Sequence, residues 1–465
     1  MSDWTLSDVI SGTNGALVQG NDCEISGFSI DSRTIKPKEV FFALKGEKQD
    51  GCEFIPQALS NHASIIVSSR PPIPSDEKKI FPASWILVED TLNALQNLAR
   101  WHRNRHKGVF LGVTGSNGKT TTKEMLFHLF SSVSNISATS GNLNNHIGLP
   151  LNIVRIPLNT KFSIVEMGMN HQGEIRFLTE ISKPHSGLIT NIGPAHIEFL
   201  GSLLNIAHAK AELIETLPSD GFAVLNGDDQ FFSMLSQKTP AKVVSFGTSS
   251  NCDFHFTEIN CDPFGISSRI SRKNSLYSMS LNLLGKHNAL NSLGALALYS
   301  SYGFSLQEGV EILKTFKPVN SRMESHQIDG MRVILDCYNA NPSSMANAVE
   351  LLSYCPGRRV AVLGDMRELG KESESLHEQL GRLVASRKID QLVGVGALAQ
   401  VIVEGAVVSG MTPSAVHSCR DTLEATKCLA NLLSKGDTVL LKASRGMHFE
   451  LIVKELWPSL PCDLH

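Results

Sequence analysis

The sequence predicts an α/β protein of three domains. These are a small mixed α/β N-terminal domain over residues 1–88, a central parallel-sheet domain over 89–316 and a C-terminal Rossmann-like domain over 317–465. Three observations carry this. At ~150 residues per domain, 465 residues give about three cores rather than one. Strand-like apolar runs alternate with helical segments through the middle of the chain, the pattern of a parallel sheet between helices. After Lys317-Pro318 that alternation starts afresh, which predicts a second doubly wound sheet. Composition agrees: 42% hydrophobic and 19% charged residues are enough apolar surface to fold and too little charge for disorder.

From Leu6 to about Arg70, short apolar runs are broken by turn residues: Gly27–Arg33, Val40–Leu44 and Ala63–Val67. Leu95, Leu98 and Trp101, three residues apart, predict a helix over Leu92–His106 that leads into the central domain. The strands expected there are Phe110–Val113, Ser163–Val165, Gly187–Thr190 and Ala223–Leu225, with helices at Lys123–Phe130 and Ile206–Leu217. Between Asp253 and Leu284 closely spaced strand patterns predict an antiparallel meander on that sheet, and the small-residue helix Ala289–Tyr302 closes the unit. The last domain reads as strands Val333–Leu335, Val360–Leu363, Gln391–Val395 and Thr438–Lys442, with helices Met345–Leu352, Leu376–Ser386 and Phe449–Leu456.

Several function classes are disfavoured at once. Forty-two Lys and Arg against 45 Asp and Glu leave a net charge of -3, so no global positive field recruits nucleic acid and any phosphate site must be local. The acidic start Met1–Leu6 has no signal-peptide core, and no apolar run reaches ~18 residues, which predicts a cytoplasmic protein without membrane insertion. The nine cysteines form no CxxC pair and read as free thiols.

The strongest local signal runs from Gly112 to Thr122, GVTGSNGKTTT, between a strand and an amphipathic helix. Such a loop aims backbone N–H groups at phosphate oxygens, places a helix N-terminus behind them, and adds a lysine for the β/γ-phosphates and a threonine hydroxyl for Mg2+. Val113 stands where a strict P-loop has its first glycine, yet context and motif agree. The central domain is expected to be a P-loop ATPase domain, with Thr114, Gly115, Ser116, Asn117, Gly118, Lys119, Thr120 and Thr121 around ATP.

The companion residues are ambiguous one by one. Glu166 ends the strand beginning at Phe162, as a Mg2+-holding acid or as an ordinary polar strand end. His196 follows the Gly187–Thr190 strand and reads as a divalent-site ligand or a solvated loop histidine. Lys210, alone, is a surface lysine. Asn288 and Asn291, three apart at a helix start, suit an adenine edge or a cap. The same doubt covers Arg322 and Glu324. Asp336-Cys337-Tyr338-Asn339 carries a strand into a turn at the carboxyl edge of a parallel sheet, where ligands bind in this fold class.

Together these residues resemble the Mur ligase family, ATP-dependent amino-acid and peptide ligases of bacterial cell-wall precursor synthesis. The family-wide marks are Thr114–Thr120, Glu166, Ala195-His196, Lys210, Gly285–Asn288 and Arg322. Narrower marks are Gly141–Leu151, Tyr338–Pro342, Gly364–Gly370 and Ser444–Met447, and the resemblance runs through essentially the whole chain in order. It implies ATP and Mg2+ as cofactors, and UDP-N-acetylmuramoyl-tripeptide and D-alanyl-D-alanine as small-molecule substrates of a monomer.

By the same resemblance Lys119, Lys210, His196 and Arg322 are catalytic, and Thr120, Glu166, His196 and Lys210 serve Mg2+, Lys210 as a carbamate. Asn288, Arg322, Asp336, Tyr338 and Asn339 contact the nucleotide. Asp31, Ser32, Arg33, Lys45, Gly46, Asp50 and Gly51 hold the uridine nucleotide, Asn142, Asn144 and Asn145 add substrate contacts, and the loop Asp365–Gly370 with Ser444 and Arg445 lies around the incoming dipeptide. Two departures are visible: Cys52 replaces the histidine the family usually has after Asp-Gly, and Ala443 replaces a glycine before Ser444. A P-loop switch or motor predicts a guanine-reading Asn-Lys-x-Asp or a Walker-B aspartate paired with glutamate, and neither is evident. A ligase adding a single amino acid or extending folate with glutamate is the nearer rival, opposed by the narrower marks.

Overall fold

The computed structural model describes residues 4–72, 83–317 and 322–460; Met1, Pro318 of the predicted linker and Cys462 lie outside the described residues. Its strands form three sheets, one for each predicted domain.

The first sheet runs in the order Ala16–Gln19, Ser84–Leu87, Ile65–Ser68, Glu39–Phe42, Gly27–Ser29, parallel except for the first pair. Its central strands are apolar on both faces because both are covered: Val40, Phe42, Ile65 and Val67 point into one core, Phe41 and Ile66 into another. The helix Thr91–Arg105 follows, capped by Asp90, whose carboxylate accepts the Asn93 N–H at 2.7 Å.

The second sheet orders Ser275–Leu281, Gly265–Arg272, Phe254–Asp262, Lys242–Gly247, Phe222–Asn226, Ser186–Ile189, Val109–Thr114, Phe162–Glu166 and Ile136–Ala138. The first three strands are the expected antiparallel meander, joined to the parallel part through Phe246 and Phe254. From Val109–Thr114 the chain goes to one side of that strand for Ile136–Ala138 and Phe162–Glu166, then to the other for Ser186–Ile189. Thr114 therefore ends the strand at which the topology switches, where the carboxyl ends splay into a crevice. Behind it the helices Lys119–Ser131 and Lys286–Ser301 lock together through Phe130, whose ring meets Tyr299 edge-on at 5.2 Å.

The third sheet runs Glu324–Ile328, Met331–Asp336, Thr438–Lys442, Arg359–Gly364, Gln391–Val395, Val416–Cys419, parallel after an antiparallel first pair. Its register sets Asp336 beside Lys442. The helix Pro342–Ser353 starts on a capping box, Asn341 Oδ1 accepting the Ser344 N–H at 2.9 Å, with proline at the first helical position.

Side chains bridge the three units. Arg155 donates twice to the Phe28 carbonyl of the first sheet, at 3.0 and 2.6 Å. Arg332 of the third donates to the Pro263 carbonyl at 2.7 Å and lies over the Phe264 ring, gripping the turn of the meander. Among the described residues no helix is long and apolar enough to cross a membrane.

Candidate active site

The loop from Gly115 to Gly118 connects the switch-point strand to the helix Lys119–Ser131. Two glycines are required there. Gly115 and Gly118 both have positive φ, +149° and +80°, and a Cβ would collide with Thr190 Oγ1 at the first and with Asn291 Oδ1 at the second. No side chain caps the helix, which leaves its first amides turned to the space in front. The loop is held from the next strand: Ser116 Oγ donates to the Gly193 carbonyl at 2.9 Å, and the Asn117 N–H donates to Asn191 Oδ1 at 3.1 Å. Lys119 Nζ bends back to the Gly115 carbonyl, 2.8 Å away. Burial and the nearby Arg322 guanidinium lower the pKa of this ammonium, and the Glu166 carboxylate partly offsets them.

Glu166 lies beneath the loop, 2% exposed, with Oε1 accepting from Asn144 Nδ2 at 2.8 Å. Its Oε2 is buried without a hydrogen-bond partner among the described residues. A carboxylate oxygen left unsatisfied inside a protein is costly, and it is an oxygen of the kind that can ligate a cation. Lys210, which alone reads as a surface lysine, is instead buried, 1% exposed on the helix Leu203–Glu215. Desolvation, with Lys119 adding repulsion, drives its pKa well below the ordinary lysine value. His196 is not a freely solvated loop residue either: it stands at φ 60° with Nδ1 2.6 Å from Glu368 Oε2 across the domain boundary. That imidazole holds the Glu368 carboxyl below its usual pKa.

A cavity of about 1190 Å³ opens in front of the loop. Its floor belongs to the central domain, with Gly118, Lys119, Thr120, Thr121, Glu166, Asn144, Asn145, Asn288 and Asn291. Its roof belongs to the C-terminal domain, with Arg322, Asp336, Tyr338, Asn339, Asn341 and Lys442. The Arg322 guanidinium sits 3.9 Å over the Tyr338 ring. Asn341 Nδ2 donates to Asn117 Oδ1 at 2.7 Å, a direct bond from roof to phosphate loop. Asn288 and Asn291 are not caps: Asn288 Nδ2 donates back to the Leu284 carbonyl at 2.9 Å, and Asn291 packs against Gly118. Beside them burial pushes the His287 imidazole down to about 4.

Other predicted residues lie elsewhere. Thr114 and Gly115 form the buried base of the loop, Thr114 Oγ1 donating to the Met167 carbonyl at 2.9 Å. Asp31, Ser32, Arg33, Lys45, Gly46, Asp50 and Gly51 gather on the first sheet's domain, apart from the cavity. Asp31 pairs with Arg33 at 2.6 Å and Asp50 with Arg70 at 2.5 Å, while Ser32 donates to Gln57 Oε1. Asn142, Ser444 and Arg445 line a second cavity of about 330 Å³, which shares His196, Tyr338, Asn339 and Asn341 with the first. Asp365 lines neither; its carboxylate accepts the Ala397 and Leu398 N–H groups at 2.9 and 3.0 Å. The sequence assigns no role to Asn341 and Lys442, and gives Arg367 and Glu368 only a place in the loop that the resemblance sets around the dipeptide. Three of them stand inside matched segments, but Lys442 reads as one more residue of an apolar strand.

A phosphate-cradling loop at the switch point of a parallel sheet, roofed by a second α/β domain, defines a nucleotide-dependent enzyme whose site is completed between domains. Family models match all three parts: Mur ligase family, catalytic domain, at 24–103; Mur ligase middle domain at 113–299; and Mur ligase, glutamate ligase domain, at 321–445. The chain belongs to the Mur ligase family. It is 36% identical over 460 residues to the UDP-N-acetylmuramoyl-tripeptide--D-alanyl-D-alanine ligase of Bacillus subtilis, covering 98% of each chain. To the ligase of that name from Escherichia coli it is 35% identical, covering 98% of this chain and 99% of the relative. Among solved structures, MurF from Acinetobacter baumannii superposes with a TM-score of 0.88 at 30% identity, over 97% of this chain and 98% of that one. MurF ligase from Thermotoga maritima in complex with ADP gives 0.79 at 29% identity, over 92% and 96%.

Proposed function

We propose that this protein is an ATP-dependent ligase that joins D-alanyl-D-alanine to UDP-N-acetylmuramoyl-tripeptide, giving the pentapeptide precursor of peptidoglycan, with residues 1–88, 89–316 and 317–465 as its uridine-nucleotide, ATP and closing domains. The observation that carries it is the cavity between floor and roof: a phosphate loop faces a second domain that contributes Arg322, Asp336, Tyr338 and Asn339. A hydrolase needs water there; a ligase must keep water out. The substrates are supported by 35–36% identity to the ligases named above over nearly the full length of both chains.

ATP lies with its β/γ-phosphates over the uncapped amides of Gly118–Thr121 and against Lys119, and its adenosine under the roof. The terminal carboxylate of the tripeptide attacks the γ-phosphorus, the bond to the β–γ bridging oxygen breaks, and ADP leaves. The acceptor amine then attacks the acyl carbon of the resulting acyl phosphate. The tetrahedral intermediate expels phosphate, and the nitrogen loses its extra proton to solvent. Lys119 and Arg322 neutralise charge on the transferring group, and the closed domains hold amine and acyl phosphate together away from water.

The residues present fit Mg2+. Glu166 offers a buried oxygen that nothing else satisfies, and Thr120 a hydroxyl on the loop. Mg2+ in phosphate sites is held by one or two carboxylates together with the substrate, so no larger acidic cage is required. When bound it supplies charge neutralisation on the phosphates. Lys210, whose pKa burial drives well below the ordinary lysine value, is suited to carbamylation by carbon dioxide, which would make it an anionic oxygen ligand, and His196 would complete the set. On this reading the protein acts in the cytoplasm as a monomer.

The test is phosphate release with ATP, Mg2+ and UDP-N-acetylmuramoyl-tripeptide, comparing D-alanyl-D-alanine, single amino acids and no acceptor. Release that needs the dipeptide and yields a pentapeptide mass is expected. Turnover with a single amino acid would leave the family and remove the substrate; ATP consumption without acceptor would remove the ligase mechanism.

A further inference from the structure

We propose that Lys123, a buried ammonium that takes no part in the phosphoryl transfer, is the positioning residue of the Glu166 carboxylate. By holding the Thr139 carbonyl it turns the chain out of the central sheet, and the loop that leaves there clamps Glu166 at both ends. The inference rests on the reading of Glu166 as a Mg2+ ligand given above and deepens it.

Lys123 follows Lys119 by one turn of the same helix and so lies on the same side of it. Its side chain is 1% exposed, and Nζ donates to the Thr139 carbonyl at 2.7 Å. The counter-ion is the neighbouring Glu124, whose Oε1 is 2.6 Å away. The charge is thus balanced where it stands, and what the ammonium contributes is a directed hydrogen bond. Stability alone gives no reason to bury it, since an apolar side chain of that size fills the same space without desolvating an ion.

Thr139 stands where the edge strand Ile136–Ala138 ends. Its N–H still donates to the Ile164 carbonyl at 2.9 Å. In a regular parallel ladder its own carbonyl would then accept the Glu166 N–H. Here that carbonyl is bound to Lys123, and the Thr139 hydroxyl takes the Glu166 N–H instead, at 2.9 Å. The backbone leaves the sheet at this point, the Ser140 N–H donating to Asn152 Oδ1 at 3.2 Å, and comes back to the strand end at Asn144. Asn144 Nδ2 donates to Glu166 Oε1 at 2.8 Å, and the Asn144 carbonyl accepts the Gly168 N–H at 2.9 Å. Glu166 is therefore fixed through its backbone by Thr139 and through one carboxylate oxygen by Asn144. The other oxygen, Oε2, is the one without a hydrogen-bond partner among the described residues. Outer contacts of this kind aim a metal ligand, and losing one is felt as metal affinity.

The test uses the full-length protein and calorimetric titration of ATP over a range of Mg2+ concentrations, with melting temperatures alongside. In the wild-type protein Mg2+ is expected to tighten ATP by roughly 10-fold or more, and in Glu166→Gln by much less. Lys123→Met should raise the Mg2+ concentration for half-maximal tightening roughly 10-fold, while ATP affinity without Mg2+ stays close to the wild-type value. Thr139→Val should do the same, and Thr139→Ser, which keeps the hydroxyl, should not. The double variant Lys123→Met/Thr139→Val should be no worse than the worse single variant, as two links of one chain require. An unchanged Mg2+ requirement in Lys123→Met, or ATP affinity lost equally with and without Mg2+, overturns the inference and leaves Glu166 as a ligand. If Lys123→Met does not fold, the Thr139 variants decide, and equal Mg2+ requirements in the valine and serine variants overturn it. A wild-type Mg2+ response in Glu166→Gln overturns the Mg2+ reading and the inference together.

Discussion

The floor and the roof of the nucleotide cavity are built differently. The floor is mostly backbone: a loop with two positive-φ glycines and uncapped helix amides, clamped by Asn191 and Gly193 of the loop that follows the neighbouring strand. The roof is mostly side chain: Asp336 Oδ2 lies 2.5 Å from Lys442 Nζ, which also donates to the Asn339 carbonyl at 3.0 Å, with Arg322 stacked on Tyr338 alongside. A backbone cradle is local in sequence and preorganised; a side-chain roof exists only once distant strands pair. The floor should therefore govern the chemical step, and the roof the affinity for nucleotide.

The sharpest way to break that division is Lys119→Ala. Removing the ammonium that the proposed mechanism sets against the transferring phosphoryl group should lower kcat/KM for phosphate release by roughly 10³-fold. Binding of UDP-N-acetylmuramoyl-tripeptide, measured by calorimetry, should be nearly unchanged, because the residues proposed to hold the uridine nucleotide lie on another sheet. Equal loss of both would show that the domains do not divide the work.

The same contrast explains what was legible beforehand. Gly112–Thr122 is contiguous, and its glycines, lysine and threonines announce the floor without any tertiary knowledge. Strands Gln391–Val395 and Thr438–Lys442 were bounded to the residue because both are buried and flanked by turns. The helix Ala399–Val408 was not seen: AQVIVEGAVV is rich in β-branched residues, which carry no helical signal of their own. Ala16–Gln19, an edge strand with three of four residues exposed, shows no alternation to find. Lys210 and Lys442 escaped, read alone, for one physical reason. A lysine's burial is decided by what folds over it, and a sequence of small and apolar neighbours does not say whether that cover exists. Register alone brings Lys442 beside Asp336, 106 residues away.

A second experiment sharpens the roof. Lys442→Met leaves the Asp336 carboxylate, 14% exposed where it lines the cavity, without its cation; a fully buried charge so orphaned costs about 3–5 kcal/mol, and the cost here should be smaller. The melting temperature should fall, and KM for ATP should rise roughly 10- to 100-fold, more than kcat falls. The double variant Lys442→Met/Asp336→Asn removes the orphaned charge. It should recover most of the stability but little of the ATP affinity. Recovery of both would reduce the pair to a structural element.

The smallest effect lies at the seam, where His287, on the floor's helix, faces the Asp336–Lys442 pair of the roof. Burial lowers its pKa to about 4, Asp336 pulling it up and Lys442 pushing it down. A free histidine titrates near 6.5. Between those values the unfolded chain binds a proton that the folded protein refuses, so stability falls as pH drops from 6.5 towards 4 and this contribution levels off below. By linkage the loss is up to roughly 3 kcal/mol. His287→Asn should therefore flatten the decline of melting temperature across that window while leaving its value at pH 8 less affected. Lys442→Met should narrow the window from below, because Asp336 then raises the folded-state pKa unopposed. A His287→Asn profile parallel to that of the wild-type protein would mean that the imidazole is solvated, and that floor and roof meet less tightly there than their packing indicates.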